Sequence, residues 1–104
     1  MKRFDVYLTN LDPAVGREIK KIRPALIVSS DDLNKALDTV IIAPMTKGIK
    51  NWPTRVSVNF ADKDGQIALD QIKTIDKSRL KKKLGTLQGA VTSNVLKKLI
   101  EMFS

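Results

Sequence analysis

The segment Thr39-Val40-Ile41-Ile42-Ala43-Pro44-Met45 constrains this chain more than any other. β-Branched side chains lose rotamer freedom in a helix but fit a pleated surface, so a run of them belongs in a strand. Apolar residues at successive positions further require cover on both faces. The run therefore predicts a central strand stopping near Pro44, where proline removes a ladder donor. A chain with such a strand must supply neighbours for it.

The remaining sequence supplies them. Phe4–Leu11 alternates imperfectly, with Phe4, Val6 and Leu8 on the apolar side, and Asp12-Pro13 ends it in a turn. Pro24–Ser30 is a short apolar run that fits a buried strand with proline at its first position. Thr54–Phe60 alternates cleanly, Val56, Val58 and Phe60 against Arg55, Ser57 and Asn59. A turn over residues 61–65 leads to a strand over Gln66–Asp70, and residues 71–76 continue with β character.

Helical signals are fewer. Ser29-Ser30 followed by Asp31-Asp32 opens one or two turns through Leu37. Asp76 caps a single turn through Leu80, and Lys81-Lys82-Lys83 reads as a solvated turn. Thr92-Ser93 caps a C-terminal helix with Val95, Leu96, Leu99, Ile100 and Phe103 at helical spacing. Residues 14–23 and 46–53 read as loops from their glycine, proline and charge content. The fold class expected is mainly β (α+β): a small twisted sheet or partly open barrel with a C-terminal helix packed on it. At 104 residues, with 42% hydrophobic and 29% charged side chains, the chain suits one domain spanning 1–104.

Two absences narrow the chemistry. Without cysteine there is no disulfide, thiolate metal site or thiol nucleophile. Without histidine there is no Ser-His-Asp triad and no imidazole acid/base pair. No carboxylate spacing matches a calcium loop, so no metal or other cofactor is expected. Catalysis, if present, rests on Arg, Lys, Asp, Glu, Thr, Ser or Tyr. No segment reads as a signal peptide or a membrane span, so a soluble, cytoplasmic protein with no membrane partner is the expectation.

The 19 Lys and Arg against 11 Asp and Glu leave a net charge of +8, which asks for a polyanion, nucleic acid or acidic protein. The cations gather in the first loop (Arg17, Lys20, Lys21, Arg23) and the second (Lys47 and Lys50, beside Trp52). Each cluster reads either as a solvated surface or as a phosphate-tracking one. Trp52 either stacks a base or packs on the domain's own edge.

Taken in order, Gly16-Arg17-Glu18, Arg23-Pro24, Asn34, Pro44-Met45-Thr46, Asp70-Gln71-Ile72-Lys73-Thr74-Ile75-Asp76, Arg79-Leu80 and Gly85 resemble the pattern of MazF/PemK-type toxins. These are small endoribonucleases of bacterial toxin–antitoxin systems. The resemblance runs from about residue 3 to the end. It implies an SH3-like barrel, a homodimer, an acidic antitoxin partner, and metal-independent cleavage of single-stranded RNA. The family's catalytic arginine falls on Arg23, its catalytic threonine on Thr46 and an implicated glutamate on Glu18. Asp70 and Gln71, within the matched motif, join the basic loops as candidate RNA contacts. Where the family commonly reads Glu-Gln-x-Gly, this chain has Ile19-Lys20-Lys21-Ile22.

On that assignment Arg23 stabilises a crowded phosphorane, since a planar guanidinium matches two phosphate oxygens at once. Thr46 donates a hydroxyl, or merely caps a loop. Glu18 is a base, or a surface partner of Arg17 or Lys21. Two rivals remain at this point: a gyrase poison resembling CcdB, whose Trp-Gly-Ile ending is absent from Glu101-Met102-Phe103-Ser104, and an RNA-binding module without catalysis.

Overall fold

The computed structural model describes residues 1–104. Its strands are β1 (Asp5–Asn10), β2 (Ile22–Ile27), β3 (Thr39–Thr46), β4 (Arg55–Phe60), β5 (Lys63–Ala68), β6 (Lys73–Asp76) and β7 (Leu80–Thr86). Two α-helices, α1 (Asp31–Ala36) and α2 (Ala90–Met102), and two short 3-10 turns, Leu69–Gln71 and Lys77–Arg79, complete it. Every pairing is antiparallel, in the order β4-β5-β3-β2-β1-β7, with β6 also on β3.

β3 is the central strand that its composition demands, yet it runs through Pro44 to Thr46. The partners explain why. On one edge β3 pairs first with β6, over Thr39–Ile42, and then with β5, over Met45 and Thr46. Pro44 falls in the gap between those two ladders, where its missing N–H leaves no bond broken. On the other edge Pro44 sits opposite Ala25 of β2. The same change of partner bends the sheet toward a barrel.

Closure brings β4 against β7. A Cβ on Gly85 would lie 3.0 Å from the Phe60 ring, so glycine lets the aromatic edge approach β7 without the ring having to shift. One apolar cluster, built on Val6, Leu26, Met45, Val56, Ile67, Leu69 and Val95, fills the interior under α2. A second, built on Leu11, Ala25, Ile27, Val40, Ile42 and Ile75, backs the other face of β2 and β3. Leu26 and Ile67 are wholly buried, so truncating either to alanine costs about 2–5 kcal/mol.

Four sequence expectations shift. Lys81-Lys82-Lys83 is not a turn but part of edge strand β7, hydrogen-bonded to β1. Lysines on an edge strand deter pairing with other chains. The strand expected at Gln66–Asp70 lies earlier, at Lys63–Ala68, because Ala61 and Asp62 both take positive φ and close a tight hairpin. Leu69–Gln71 becomes a 3-10 turn. Helix α2 starts at Ala90 after Gly89, and Thr92 donates its hydroxyl to the Gly89 carbonyl instead of preceding the helix. Val95 and Leu99 face the core, whereas Ile100 and Phe103 are exposed. Helix α1 opens as expected, with the Ser30 hydroxyl accepting the Leu33 N–H.

Candidate active site

Continuing the β2–β3 register beyond Ala25↔Pro44 sets Arg23 across from Thr46. Both line one cavity of about 290 Å³, floored by Pro24, Met45, Val58, Phe60 and Leu84 and rimmed by Lys47 and Lys63. Two residues far apart in sequence thus converge because the sheet pairs their strands.

Arg23 is half-buried, and its Nε donates to the Lys20 carbonyl at 3.1 Å. That bond orients the guanidinium. No carboxylate lies within 4.0 Å of it, and its terminal nitrogens make no hydrogen bond, so they stay available to an anion.

Thr46 ends β3, and its Oγ1 accepts the Gly48 N–H at 3.1 Å. With a lone pair engaged, the hydroxyl proton is free to be donated outward. The backbone here is tightly held. A Cβ on Gly65 would lie 2.6 Å from the Thr46 carbonyl oxygen, so glycine alone lets β5 come this close.

Glu18 is not brought to Arg23 and Thr46. It is exposed and lines a neighbouring cleft with Arg17, Pro44, Asp70, Gln71 and Lys73. Its Oε1 accepts the Val15 N–H at 3.3 Å. Asp70 is ion-paired: Arg55 donates to it from Nε at 2.7 Å and from Nη2 at 3.2 Å, and Thr54 from its hydroxyl at 3.0 Å. Burial pushes the Asp70 carboxyl up, but the Arg55 and Thr54 hydrogen bonds and the Arg55 charge outweigh it and leave its pKa below the ordinary aspartate value. A carboxylate so stabilised is a weak base. Gln71 spends its amide on the first loop, accepting the Ile19 N–H at 2.6 Å and donating to the Arg17 carbonyl at 3.2 Å.

The other candidates lie on the two loops. Lys20 and Lys21 are exposed beside Arg23, and Lys21 has positive φ with its N–H on Asp12. Lys47 lines the cavity; Lys50 places its ammonium 5.5 Å from the Trp52 ring centroid. The Arg55 guanidinium lies 4.7 Å from the same ring, so Trp52 packs against its own domain while 48% of it stays exposed.

Sequence reasoning missed Gly65, Gln66, Lys63 and Leu84 as neighbours of Arg23 and Thr46. Gly65 reads as the last residue of a turn, and its place inside β5 emerges only from the hairpin closing earlier, at Ala61 and Asp62. Nothing local announces the others, which arrive by strand pairing.

A family model described as PemK-like, MazF-like toxin of type II toxin–antitoxin system matches residues 2–103. Endoribonuclease MazF of Staphylococcus epidermidis is 44% identical over 90 residues, which cover 81% of this chain and 75% of that protein. MazF of Staphylococcus saprophyticus is 46% identical over the same shares. The fold superposes on MazF from Deinococcus radiodurans with a TM-score of 0.87 at 24% identity, covering 99% of this chain and 96% of that one. It superposes on a mycobacterial endoribonuclease, solved with its cognate antitoxin, with a TM-score of 0.84 at 25% identity, over 99% of this chain and 94% of that one. With a match across nearly its whole length and relatives at this identity, the chain belongs to the PemK-like, MazF-like toxin family of type II toxin–antitoxin systems.

Proposed function

We propose that this chain is an endoribonuclease toxin that cleaves single-stranded messenger RNA without a metal, by turning the RNA's own 2′-hydroxyl on the adjacent phosphate. The observation that carries this reading is the meeting of an unpaired arginine and a positioned threonine hydroxyl in one cavity.

The reaction needs no protein nucleophile. The 2′-oxygen bonds to phosphorus, the bond from phosphorus to the 5′-oxygen breaks, and the products are a 2′,3′-cyclic phosphate and a 5′-hydroxyl end. One proton leaves the 2′-oxygen and one reaches the departing 5′-oxygen. Charge builds on the non-bridging oxygens in between, where preorganised donors contribute most. Arg23 meets two of those oxygens with its terminal nitrogens, and Thr46 donates to one from its hydroxyl. A guanidinium's delocalised charge makes Arg23 an electrostatic catalyst before it is a proton donor.

Glu18 is assigned the base, a role that requires the first loop to move so that its carboxylate leaves Val15 and reaches the 2′-hydroxyl beside the phosphate on Arg23 and Thr46. Arg17, Lys20, Lys21, Lys47 and Lys50 track the phosphates on either side, and Trp52 offers its exposed face to a base. Asp70 and Gln71 act on the RNA through the loops they hold. An RNA-cleaving toxin meets its messenger in the cytoplasm, which is the compartment proposed.

Two partners follow. A net charge of +8 suits an acidic antitoxin covering the basic loops, and the mycobacterial relative solved with its cognate antitoxin supports that assignment. A homodimer is proposed with it. Incubating purified protein with a defined single-stranded RNA in EDTA, then analysing the ends, tests the reading. Cyclic phosphate and 5′-hydroxyl ends are expected. Binding without cleavage, or cleavage only on adding a divalent cation, would overturn it.

A further inference from the structure

Gln66 is a polar side chain in a place where polarity is costly. It is 4% exposed, in strand β5, directly across from Thr46 on β3 and from Ser57 on β4. Both ends of its amide bond a single residue of the second loop: Nε2 donates to the Lys50 carbonyl at 2.9 Å, and Oε1 accepts the Lys50 N–H at 3.0 Å. The two bonds copy a rung of a β-ladder, joining Lys50 to the sheet although the loop is no strand. One residue thereby grips both ends of the span from Thr46 to Lys50, the first by backbone pairing and the second by its side chain.

We propose that Gln66 is a positioning residue that fixes the second loop, with Lys47 and Lys50, at the height where RNA phosphate passes the Arg23–Thr46 cavity. The inference rests on the endoribonuclease reading above and names a residue that acts through the loop rather than on the reacting atoms. Its physical basis is an asymmetry. A buried amide that loses its partner incurs the full desolvation penalty, so the loop cannot lift without exposing Gln66 to that loss. Loop cations held in place before RNA arrives lose less freedom on binding. Nothing else among the hydrogen bonds holds Lys50, since its ammonium only faces the Trp52 ring.

The test uses Gln66→Leu, which fits an apolar, buried strand position and removes both bonds, with Gln66→Met as the second variant should leucine not fold. Three readouts run beside wild type in EDTA. They are hydrogen exchange at the Lys50 amide, single-turnover cleavage across RNA concentration, and binding of a fluorescein-labelled random-sequence RNA across salt. The expected result is fast Lys50 exchange and KM raised about tenfold, the scale of one or two lost phosphate contacts, with kcat within about twofold. The slope of log affinity against log salt falls by about 0.7 for each loop cation that disengages. A merely structural role would move stability and leave that slope alone.

A folded variant with fast Lys50 exchange but unchanged KM and salt slope would overturn the proposal. So would a fall in kcat at constant KM, which would mean that Thr46 and not the loop had moved. If wild type cleaves no RNA, the endoribonuclease reading falls by itself, and the salt slope still decides whether Gln66 positions the loop for RNA.

Discussion

The first basic loop, residues 11–21, and the second, residues 47–54, bring cations to the same end of the sheet by different means. The first is held largely by its own neighbours. Asp12 accepts the Lys21 N–H, the Leu11 N–H reaches the Lys21 carbonyl, and Glu18 folds back on Val15. Its one long-range hold on the amide of a glutamine is the partly exposed Gln71. The second loop is held from inside, by buried Gln66 and by a brace in which Asp70 grips Arg55 and Arg55 underlies Trp52. An exposed hydrogen bond contributes about 0.5–1.5 kcal/mol net, whereas stranding a buried amide costs about 1–3 kcal/mol. On hydrogen bonds alone the middle of the first loop is expected to open more easily than the second, although Leu11 and Ile19 pin the first loop to the core. The arm with the more exposed hydrogen bonds ends at Arg23, and the one gripped by a buried amide starts at Thr46.

The comparison breaks most sharply at those two residues. Arg23→Ala should lower cleavage by about 10³-fold, the upper range for removing a donor to a developing oxyanion. The side chain is half-buried and bonds only to the Lys20 carbonyl, so the melting temperature should hardly move. Arg23→Lys should not restore activity, because an ammonium cannot meet two oxygens in one plane. A variant that fails to fold would remove Arg23 from the site. Thr46→Val keeps the β-branched shape that the strand requires and deletes the hydroxyl; about 10²-fold loss of kcat is expected, with Thr46→Ser recovering most of it. Equal activity in the valine variant would reduce Thr46 to a loop cap on Gly48.

The brace under the second loop gives a stability signal with a definite pH dependence. The Arg55 side chain is 6% exposed, and Asp70→Asn leaves it without its counter-charge, so a loss of about 1–2 kcal/mol is expected at pH 7 by urea denaturation. The sign follows from the lowered pKa of Asp70. A depressed carboxylate contributes its stability in full above its unfolded pKa of about 3.9 and loses it as pH falls through the lower folded value. Wild type and Asp70→Asn should therefore converge once the pH has fallen through the lowered folded value. A gap that persists there would trace the loss to packing and not to charge. Asp5 acts in the same direction. Burial raises its pKa, but the Lys2 N–H, Thr86 and Lys83 outweigh that and hold it low. Acid weakening of the whole fold thus exceeds what Asp70 alone contributes.

How much of this was legible in the sequence depended on range. β3 and β4 were readable because burial on a pleated strand imposes its period on consecutive residues. Arg23 and Thr46 were readable only through the family pattern; their convergence is a property of the β2–β3 register, which no window of sequence contains. β7 was hidden because residues 81–84 are all exposed, so the strand has no buried alternation to display. Ile100 and Phe103 misled for the converse reason: they carry helical spacing and yet face solvent. Gln66 and Gln71 look like ordinary polar residues until the loops they hold, sixteen and more than fifty residues away in the chain, are in place.

The finest distinction between the two loops lies in Gln71, the counterpart of Gln66. Gln71→Leu removes the bonds to Ile19 and Arg17, but the Asp12–Lys21 and Glu18–Val15 contacts remain, and the Lys20 carbonyl still orients Arg23. Freed groups at this partly exposed site turn to water, so each lost bond costs little. The expected change in KM is about two- to threefold, below that for the Gln66 variant, with kcat and melting temperature close to wild type. Hydrogen exchange supplies the decisive reading. The Ile19 amide should already exchange faster than the Lys50 amide in wild type, and Gln71→Leu should raise it only modestly, because the first loop opens often before the mutation is made. Strong protection of Ile19 in wild type, abolished by Gln71→Leu along with activity, would make the first loop as rigid as the second and remove the asymmetry between them.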